Sequence, residues 1–322
     1  MYYHHVSLIS FRMNNSTTLT FTLTAYVILE KNKYVFFIIF LLLYIATVLL
    51  NVLLITVIHQ NKVLHQPMNM FASMLSFNEL YGSSALLPLT MSILMSKTHE
   101  MSVNSCIAQV YCLHTYAASE YCILALMAYD RYLAICYPLH YQTIMLPSKV
   151  NKLIVLVGLY PFIAFGCFFS MTAQLSFCGK FIPKLYCVNM ELVKNACTNT
   201  SHINIAGLLL IGLLIAPQVF MVFFSYVRIF RVCKKLSKKN QVSALKKCAP
   251  HLTSFLNFSI GSLFDIAQHR FEMSHIAMEA RILLSICFAV GPPFANPILY
   301  GLGTYLIRVH IKKLCSTCRH RG

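Results

Sequence analysis

The chain has 322 residues, of which 58% are hydrophobic and only 11% charged, and its mean hydropathy is +0.66. A soluble domain carries about 25% charged residues, so this composition excludes a soluble globular protein and indicates an integral membrane protein. A net charge of +17 would suggest nucleic-acid binding in a soluble chain. In a membrane protein the placement of that charge sets the topology, and no nucleic-acid partner is expected.

The N-terminal stretch, residues 1–33, is expected to be an extracellular segment. It lacks the basic start and long apolar core of a cleavable signal peptide, so the first membrane helix is expected to direct insertion. Asn14 and Asn15 open two overlapping glycosylation tripeptides, and Asn199 opens a third in another expected outside loop.

Seven apolar stretches are each long enough to span a bilayer as a helix of roughly 20 residues. They run approximately over 34–58, 68–95, 106–133, 150–171, 202–229, 248–266 and 276–300. The sixth is the weakest, because it contains Asn257 and Asp265. The sequence therefore predicts an all-α membrane protein, a seven-transmembrane helix bundle that forms one domain over residues 34–302.

The basic residues predict the orientation of this bundle. With the N-terminus outside, most of the 26 Lys and Arg residues fall on the cytoplasmic side, including the run over 228–247. An excess of Lys and Arg marks the cytoplasmic side of membrane proteins. The run is explained by topology and lipid headgroups alone, or by these together with a cytoplasmic partner. The chain is thus expected to be a multi-pass protein of the plasma membrane, with its C-terminus in the cytoplasm.

Residues 303–322 are expected to form a short amphipathic helix along the inner membrane surface, followed by a tail. Cys315 and Cys318 lie in this segment. Their spacing is compatible with redox chemistry or metal binding, but no second pair accompanies them. Palmitoylation at a juxtamembrane cysteine and an unmodified thiol are the remaining alternatives.

The third apolar stretch has a cysteine at one end and an acid–base pair at the other. The 25 positions from Cys106 to Arg131 correspond to roughly 37 Å of helix, enough to cross the bilayer. Adjacent charges at the end of a membrane helix are costly, so Asp130 and Arg131 are expected to have a functional partner. Four cysteines, Cys106, Cys178, Cys187 and Cys197, fall on the expected outside, where two disulfides have three connectivities open to them.

Several ordered motifs resemble those of odorant receptors, a branch of the rhodopsin-like class A G-protein-coupled receptors. They are PMNMF at 67–71, MAYDRYLAIC at 127–136, PLHY at 138–141, SY at 225–226, KCAPHL at 247–252 and PPFANPILY at 292–300. The segments around His251 and Asp265 resemble the fish-type branch, which would favour water-soluble odorants. The resemblance covers about residues 20–315.

The resemblance implies a switch at the cytoplasmic end of the bundle. Arg131 would pair with Asp130 at rest and meet a heterotrimeric G protein, of the stimulatory type that raises cAMP, when active. Tyr226 and Tyr300 would swing toward Arg131, and Pro297 would provide a bend in the seventh helix. The residues assigned to this switch are Asp130, Arg131, Tyr132, Tyr226, Asn296, Pro297 and Tyr300. The resemblance also implies the disulfides Cys106–Cys187 and Cys178–Cys197.

Glu79 and Glu120 form a second charged pair, within the membrane. Carboxylates at that depth face the bundle interior, and two close together share a proton or hold a cation between them. By the resemblance, Asn51 and Asn296 are their polar neighbours. A network that fixes helix packing and a sodium-binding switch remain equal alternatives, and no other cofactor is expected.

The resemblance places a small-molecule ligand in the outer half of the bundle, between the third, fifth, sixth and seventh helices. The candidate lining residues are His114, Ala117, Ala118, Ile205, Leu209, Ser262, Ile266, Ile282 and Ile286. Such an apolar wall suits a small organic odorant. His114 taken alone is more simply a histidine that is satisfied within the bundle.

Other function classes fit the sequence less well. A transporter would show broken helices in inverted repeats, and an enzyme would show a nucleophile–base or metal constellation. Neither pattern is present in the sequence. A non-olfactory class A receptor for another small ligand remains the alternative to an odorant receptor.

Overall fold

The computed structural model describes residues 19–270, 276 and 278–319, and the predicted glycosylation sites Asn14 and Asn15 lie outside this part of the chain. Eight helices of 15 or more residues are present within it. They are α1 (Lys33–Gln60), α2 (Pro67–Met95), α3 (Val103–Cys136), α4 (Pro147–Thr172), α5 (Ser201–Cys233), α6 (Lys238–Arg270), α7 (Met278–Gly303) and α8 (Tyr305–Arg319). Seven of these correspond to the predicted apolar stretches, and α8 corresponds to the predicted amphipathic segment.

The helices α5 and α6 are longer than their apolar stretches. α5 continues past residue 229 to Cys233, and α6 begins at Lys238, ten residues before the predicted start at 248. Hydropathy marks the part of a helix that suits lipid, whereas Lys, Gln, Ala and Leu favour a helix in water as well. The basic run is therefore mostly helical.

The central helix of the bundle is α3. It packs against α2, α4, α5 and α6, and most of its residues between Thr115 and Leu133 are buried. Within the described residues, four helices are long and apolar enough by themselves to cross a membrane: Tyr26–Gln60, Pro147–Thr172, Ser201–Cys233 and Ala280–Gly301. The helices α2 and α3 have a lower hydropathy because they carry polar residues. These polar residues lie on buried faces, which contact protein and not lipid.

Two apolar clusters hold the ends of the bundle together. One surrounds Phe165, Phe168 and Cys187, and the end of the molecule that contains it is called the disulfide end. The other surrounds Leu124, Met127 and Tyr300, and that end is called the Arg131 end.

A small sheet covers part of the disulfide end, which the all-α prediction missed. β1 (Thr20–Leu23) lies between β2 (Glu100–Ser102), to which it is antiparallel, and β3 (Phe181–Ile182), to which it is parallel. Phe21 and Leu23 on β1 are fully buried. The segment before α1 thus packs onto the bundle, because its alternate residues complete the apolar cluster there.

Both disulfides implied by the resemblance are present, Cys106–Cys187 and Cys178–Cys197. The first ties the segment 185–190 to the start of α3. The Cys187 N–H also donates to Gln109 Oε1 at 2.9 Å, and the Tyr26 hydroxyl donates to the Leu185 carbonyl at 2.7 Å. Residues 185–190 are therefore held firmly across the disulfide end.

Candidate functional site

The acid–base pair lies at the end of α3, as its position in the sequence predicts. Asp130 is fully buried, and the Arg131 guanidinium donates to its Oδ2 from Nη2 at 2.5 Å and from Nε at 3.1 Å. The Tyr141 hydroxyl donates to the other carboxylate oxygen, Oδ1, at 2.6 Å. Burial and the Asp130 carboxylate raise the pKa of Tyr141 above its ordinary value, so this hydroxyl stays a donor.

Arg131 borders a cavity of about 470 Å³ at this end of the bundle. Lys246 and Lys247 of α6 and Tyr300 of α7 also line it. The carboxyl group of Asp130 binds the Arg131 guanidinium, whereas the cavity is lined by the basic side chains of Arg131, Lys246 and Lys247. The cavity can therefore receive a partner segment that offers acceptors or negative charge.

Three helices are joined beside this pair by one histidine, whose role the sequence analysis missed. His251 of α6 is fully buried; its Nε2 lies 2.8 Å from the Leu124 carbonyl of α3, and its Nδ1 lies 2.6 Å from the Tyr226 hydroxyl of α5. The carbonyl requires a donor, so Nε2 carries the hydrogen and Nδ1 accepts from Tyr226. His251 belongs to the KCAPHL motif at 247–252, and its place in that motif was the sequence feature that could have indicated a role for it.

Apart from Asp130, the predicted switch residues make no hydrogen bond to Arg131 in the part of the chain that the structure describes. The Tyr300 hydroxyl is buried and has no hydrogen-bond partner within the described residues. Tyr132 packs against Phe224 of α5, with 5.8 Å between ring centroids. Pro297 lies within α7, four residues after Pro293. In the structure, Arg131 is therefore paired with Asp130, and the Tyr226 hydroxyl is hydrogen-bonded to His251.

A buried polar network joins α2, α3 and α7 in the middle of the bundle. Glu79 and Glu120 are both fully buried, and the Asn296 side-chain N–H₂ donates to Oε1 of each, at 3.1 Å for Glu120. The Tyr116 hydroxyl donates to Glu79 Oε2 at 2.9 Å, and Asn78 Nδ2 donates to Glu120 Oε2 at 2.9 Å. All four carboxyl oxygens therefore accept a hydrogen bond.

Asn51 does not join this network in the way that was expected. Its Nδ2 donates to the Thr47 and Pro293 carbonyls, each at 2.9 Å, and its Oδ1 has no partner among the described residues. Asn51 therefore connects α1 to the backbone of α7. The Pro293 carbonyl is free to accept this bond because Pro297, four residues later, has no N–H to donate to it. Its assignment to the carboxylate site is corrected accordingly.

Three members of the network were not predicted: Asn78, Tyr116 and Ser254. Ser254 donates to Asn296 Oδ1 at 2.6 Å and so orients its amide toward the carboxyls. A Cβ atom at Gly82 would lie 2.5 Å from the Tyr116 ring, so glycine is needed there for the ring to reach past α2. Tyr116 lies four residues before Glu120, on the same helical face, and that spacing was the missed signal.

Two cavities lie toward the disulfide end, on either side of the contact between α3 and α6. The larger, about 150 Å³, lies between α3, α4, α5, α6 and residues 188–190, and we call it the α5 cavity. The smaller, about 120 Å³, lies between α2, α3, α6, α7 and Tyr186, and we call it the α7 cavity. Asp265 lines both, and its Oδ1 accepts hydrogen bonds from Tyr186 at 3.0 Å and Gln268 at 2.9 Å.

Some of the predicted pocket residues line these cavities. His114 and Ile266 line the α5 cavity, whereas Ala117 and Ser262 line the α7 cavity. His114 also lies 2.8 Å from the Val110 carbonyl through Nδ1, so it is a bundle histidine and a cavity residue at once.

Other predicted pocket residues line neither cavity. Ala118 and Ile282 are buried in the apolar cluster of the disulfide end, and Ile286 packs against it. Ile205 and Leu209 are 59% and 62% exposed on the outer side of α5, so their assignment to the pocket is corrected. The predicted rotation of α5 about its axis was wrong. The residues of α5 that line the cavity are Asn204, Gly207, Leu208 and Ile211.

Comparison with known proteins matches this architecture to one family. The family model described as olfactory receptor matches residues 40–317. Olfactory receptor 52D1 of Homo sapiens is 34% identical over 298 residues, 92% of this chain and 93% of that protein. Olfactory receptor 1496 of Rattus norvegicus is 30% identical over 308 residues, 94% of this chain and 98% of that protein.

These matches span nearly the whole chain, including the Asp130–Arg131 pair, the buried carboxyl network and the two cavities. The family consists of signalling receptors and not of enzymes, and its members are helical membrane proteins. The chain belongs to the olfactory receptor family.

Proposed function

We propose that this protein is an odorant receptor that binds a small molecule at the disulfide end and activates a heterotrimeric G protein at the Arg131 end. The observation that carries this proposal is the arrangement of α3 and α6. Both helices line the cavities at one end, through His114 and Asp265, and both hold the buried polar contacts at the other, through Asp130 and His251. A ligand that shifts α6 against α3 would therefore act on both ends.

The disulfide end is the extracellular end in this proposal, and seven helices, α1 to α7, cross the plasma membrane. The disulfides require an oxidising compartment, and the basic residues at the end of α5 and the start of α6 lie toward the opposite end. The helices α2, α3 and α6 cross because their polar faces are turned to neighbouring helices. Asn199, exposed beside α5, would then be available for glycosylation outside the cell.

The step that reaches the G protein is a release of Arg131. In the structure Asp130 holds the guanidinium, Tyr226 is bonded to His251, and Tyr300 has a buried hydroxyl without a described partner. An outward movement of α6 would remove His251 from Tyr226 and open the cavity beside Arg131. The guanidinium, with Lys246 and Lys247, would then bind acceptors on a G protein of the stimulatory type, which raises cAMP.

We propose a shared proton, and not a sodium ion, at Glu79 and Glu120. Donors from Asn78, Tyr116 and Asn296 are directed at all four carboxyl oxygens, whereas a cation needs oxygen lone pairs directed at it. Two buried carboxylates would repel each other, and a proton between them removes that repulsion. The network would then set the relative positions of α2, α3 and α7.

The experiment for this function is a cAMP reporter assay in transfected cells, with a panel of odorants. At least one odorant is expected to raise cAMP through the wild-type chain. The Arg131→Ala variant should reach the cell surface and give no response, because the guanidinium that binds the G protein is missing. A normal response from Arg131→Ala would contradict the proposal. The fish-type assignment stays a prediction, and water-soluble odorants belong in the panel for that reason.

A further inference from the structure

In the wall of the α5 cavity, the carbonyl oxygens of two asparagine side chains have no hydrogen-bond donor among the described residues. Asn189 lies at the start of the short helix Asn189–Lys194, and Asn204 lies in the first turn of α5. The Oδ1 atoms of both are buried and accept no hydrogen bond from the described part of the chain. Burying a carbonyl oxygen without a donor is unfavourable. Two such atoms beside one cavity indicate that its occupant supplies the donor.

The rest of the α5 cavity limits the size of this occupant. Phe165 and Phe168 of α4 and Leu208 and Ile211 of α5 give it apolar walls. Its volume of about 150 Å³ equals that of an engineered apolar cavity that binds benzene, also about 150 Å³. An occupant of about six to eight non-hydrogen atoms therefore fits without a rearrangement of the helices.

The charge of the wall limits the chemical class. Asp265 lines the cavity, and its carboxyl group already accepts hydrogen bonds from Tyr186 and Gln268. An anionic ligand would be repelled by this carboxyl group and has no hydrogen to donate to the two amide oxygens. A neutral hydroxyl group avoids that repulsion and provides the missing donor.

We propose that the α5 cavity binds a small neutral alcohol, whose hydroxyl group donates to Asn189 or Asn204 and whose hydrocarbon part packs against the phenylalanines of α4. A primary amide also carries an N–H₂ donor, which suits the oxygen of an alcohol. This ligand class rests on the proposed function, in which the disulfide end is the ligand end.

The test measures binding to the purified full chain in lipid nanodiscs by ligand-observed NMR. The probes are benzyl alcohol, its isomer anisole, toluene and benzoate, which share one ring and differ in whether they donate, only accept, do neither or carry a negative charge. Benzyl alcohol should bind about tenfold more tightly than anisole or toluene, and benzoate should not displace it. Equal or tighter binding of anisole or benzoate would overturn the proposal, as would an absence of benzyl alcohol binding.

Substitutions then locate the donor site. Asn189→Leu and Asn204→Leu, together in one chain, should lower the affinity for benzyl alcohol about tenfold and raise that for toluene, because the unpaired carbonyls are removed. The gain for toluene shows that the variant is folded. Asn151→Leu is the matched control, since Asn151 is exposed on α4 and lines neither cavity. An unchanged ranking of the four probes in the double variant would overturn the assignment.

A parallel cAMP assay separates this inference from the proposed function. If benzyl alcohol binds with the expected dependence on Asn189 and Asn204 but raises no cAMP, the coupling proposal fails and the alcohol site stands. If benzyl alcohol raises cAMP equally in the wild type and the double variant, the receptor function stands and the alcohol site is overturned.

Discussion

At the scale of single residues, the molecule depends on buried polar groups that are paired across helices. Asp130, Glu79 and Glu120 are each fully buried, and each has donors from at least two other residues. Removing one partner of a buried charge is costly, because the other is left unpaired. Such substitutions are therefore the most direct way to shift the conformation in which Arg131 is held.

The first prediction concerns Tyr141, which the sequence analysis did not single out. Tyr141→Phe keeps the ring and removes the hydroxyl that donates to Asp130 Oδ1. Loss of this bond should destabilise the resting conformation by about 1–3 kcal/mol and raise cAMP in the absence of ligand. The measurement is basal cAMP at equal surface expression. Tyr160→Phe, on the outer face of α4, is the control, and an unchanged basal level in Tyr141→Phe would refute the effect.

The second prediction concerns sodium. If a proton joins Glu79 and Glu120, the thermal stability of the purified wild-type receptor should be the same in sodium and in potassium chloride of equal concentration. Glu79→Gln should lower the melting temperature modestly in both salts, because one donor then meets an amide N–H₂. Glu100→Gln makes the same chemical change at an exposed residue of β2 and should have little effect. Stabilisation of the wild type by sodium, lost in Glu79→Gln, would favour the ion instead.

At the scale of secondary-structure elements, α6 has the least apolar sequence of the seven long bundle helices, and its polar side chains make hydrogen bonds to several neighbouring helices. His251 ties it to α3 and α5, and Ser254 ties it to α7. Asp265 and Gln268 bind Tyr186 and Ser285 near the disulfide end. These contacts are directional hydrogen bonds, so α6 has a defined resting position that a ligand can change.

The third prediction is a double-mutant cycle across the α5–α6 contact. Tyr226→Phe and His251→Phe each break the 2.6 Å hydrogen bond, so their combined effect on melting temperature should be smaller than the sum of the separate effects. The expected coupling is about 1 kcal/mol. Tyr226→Phe combined with Tyr44→Phe, on the distant helix α1, is the control pair and should be additive. Additivity of Tyr226→Phe and His251→Phe would show that the contact does not hold α6.

At the scale of the whole molecule, the disulfide end is built from segments far apart in the chain. β1, β2 and β3 pair with one another at this end, residues 185–190 border the cavities, and the bond Cys106–Cys187 closes a separation of 81 residues. The bond Cys178–Cys197 closes only 19 residues and lies within one loop. The first disulfide therefore joins residues 185–190 to α3, whereas the second stabilises a single loop.

The fourth prediction compares these disulfides. In the chain-entropy description the longer loop contributes about 1 kcal/mol more than the shorter one. Cys106→Ser should accordingly reduce cell-surface expression strongly, whereas Cys178→Ser should reduce it less and leave residues 185–190 attached to α3. Quantitative surface labelling is the measurement, with Cys167→Ser, an exposed free cysteine of α4, as the control. A greater loss in Cys178→Ser would contradict the expected order.

Local composition and motif order were enough to predict the bundle, its family and the pair at Asp130 and Arg131, because apolar length and adjacent charges are properties of contiguous sequence. The disulfide partners followed from the resemblance, and the structure confirms them. Asn51 and the α5 face of the pocket were misplaced, because a helix can be rotated in its apolar surroundings with little change in hydropathy.

Tertiary structure alone decided which polar atoms meet. The Tyr226–His251–Leu124 contact and the donors around Glu79 and Glu120 join residues from different helices. The two unpaired amide oxygens of the α5 cavity come from separate segments that only the packing brings together. Hydrogen bonds depend on distances of a few tenths of an ångström and on direction. Such distances are set by the packing of whole helices, and no spacing along the chain encodes them.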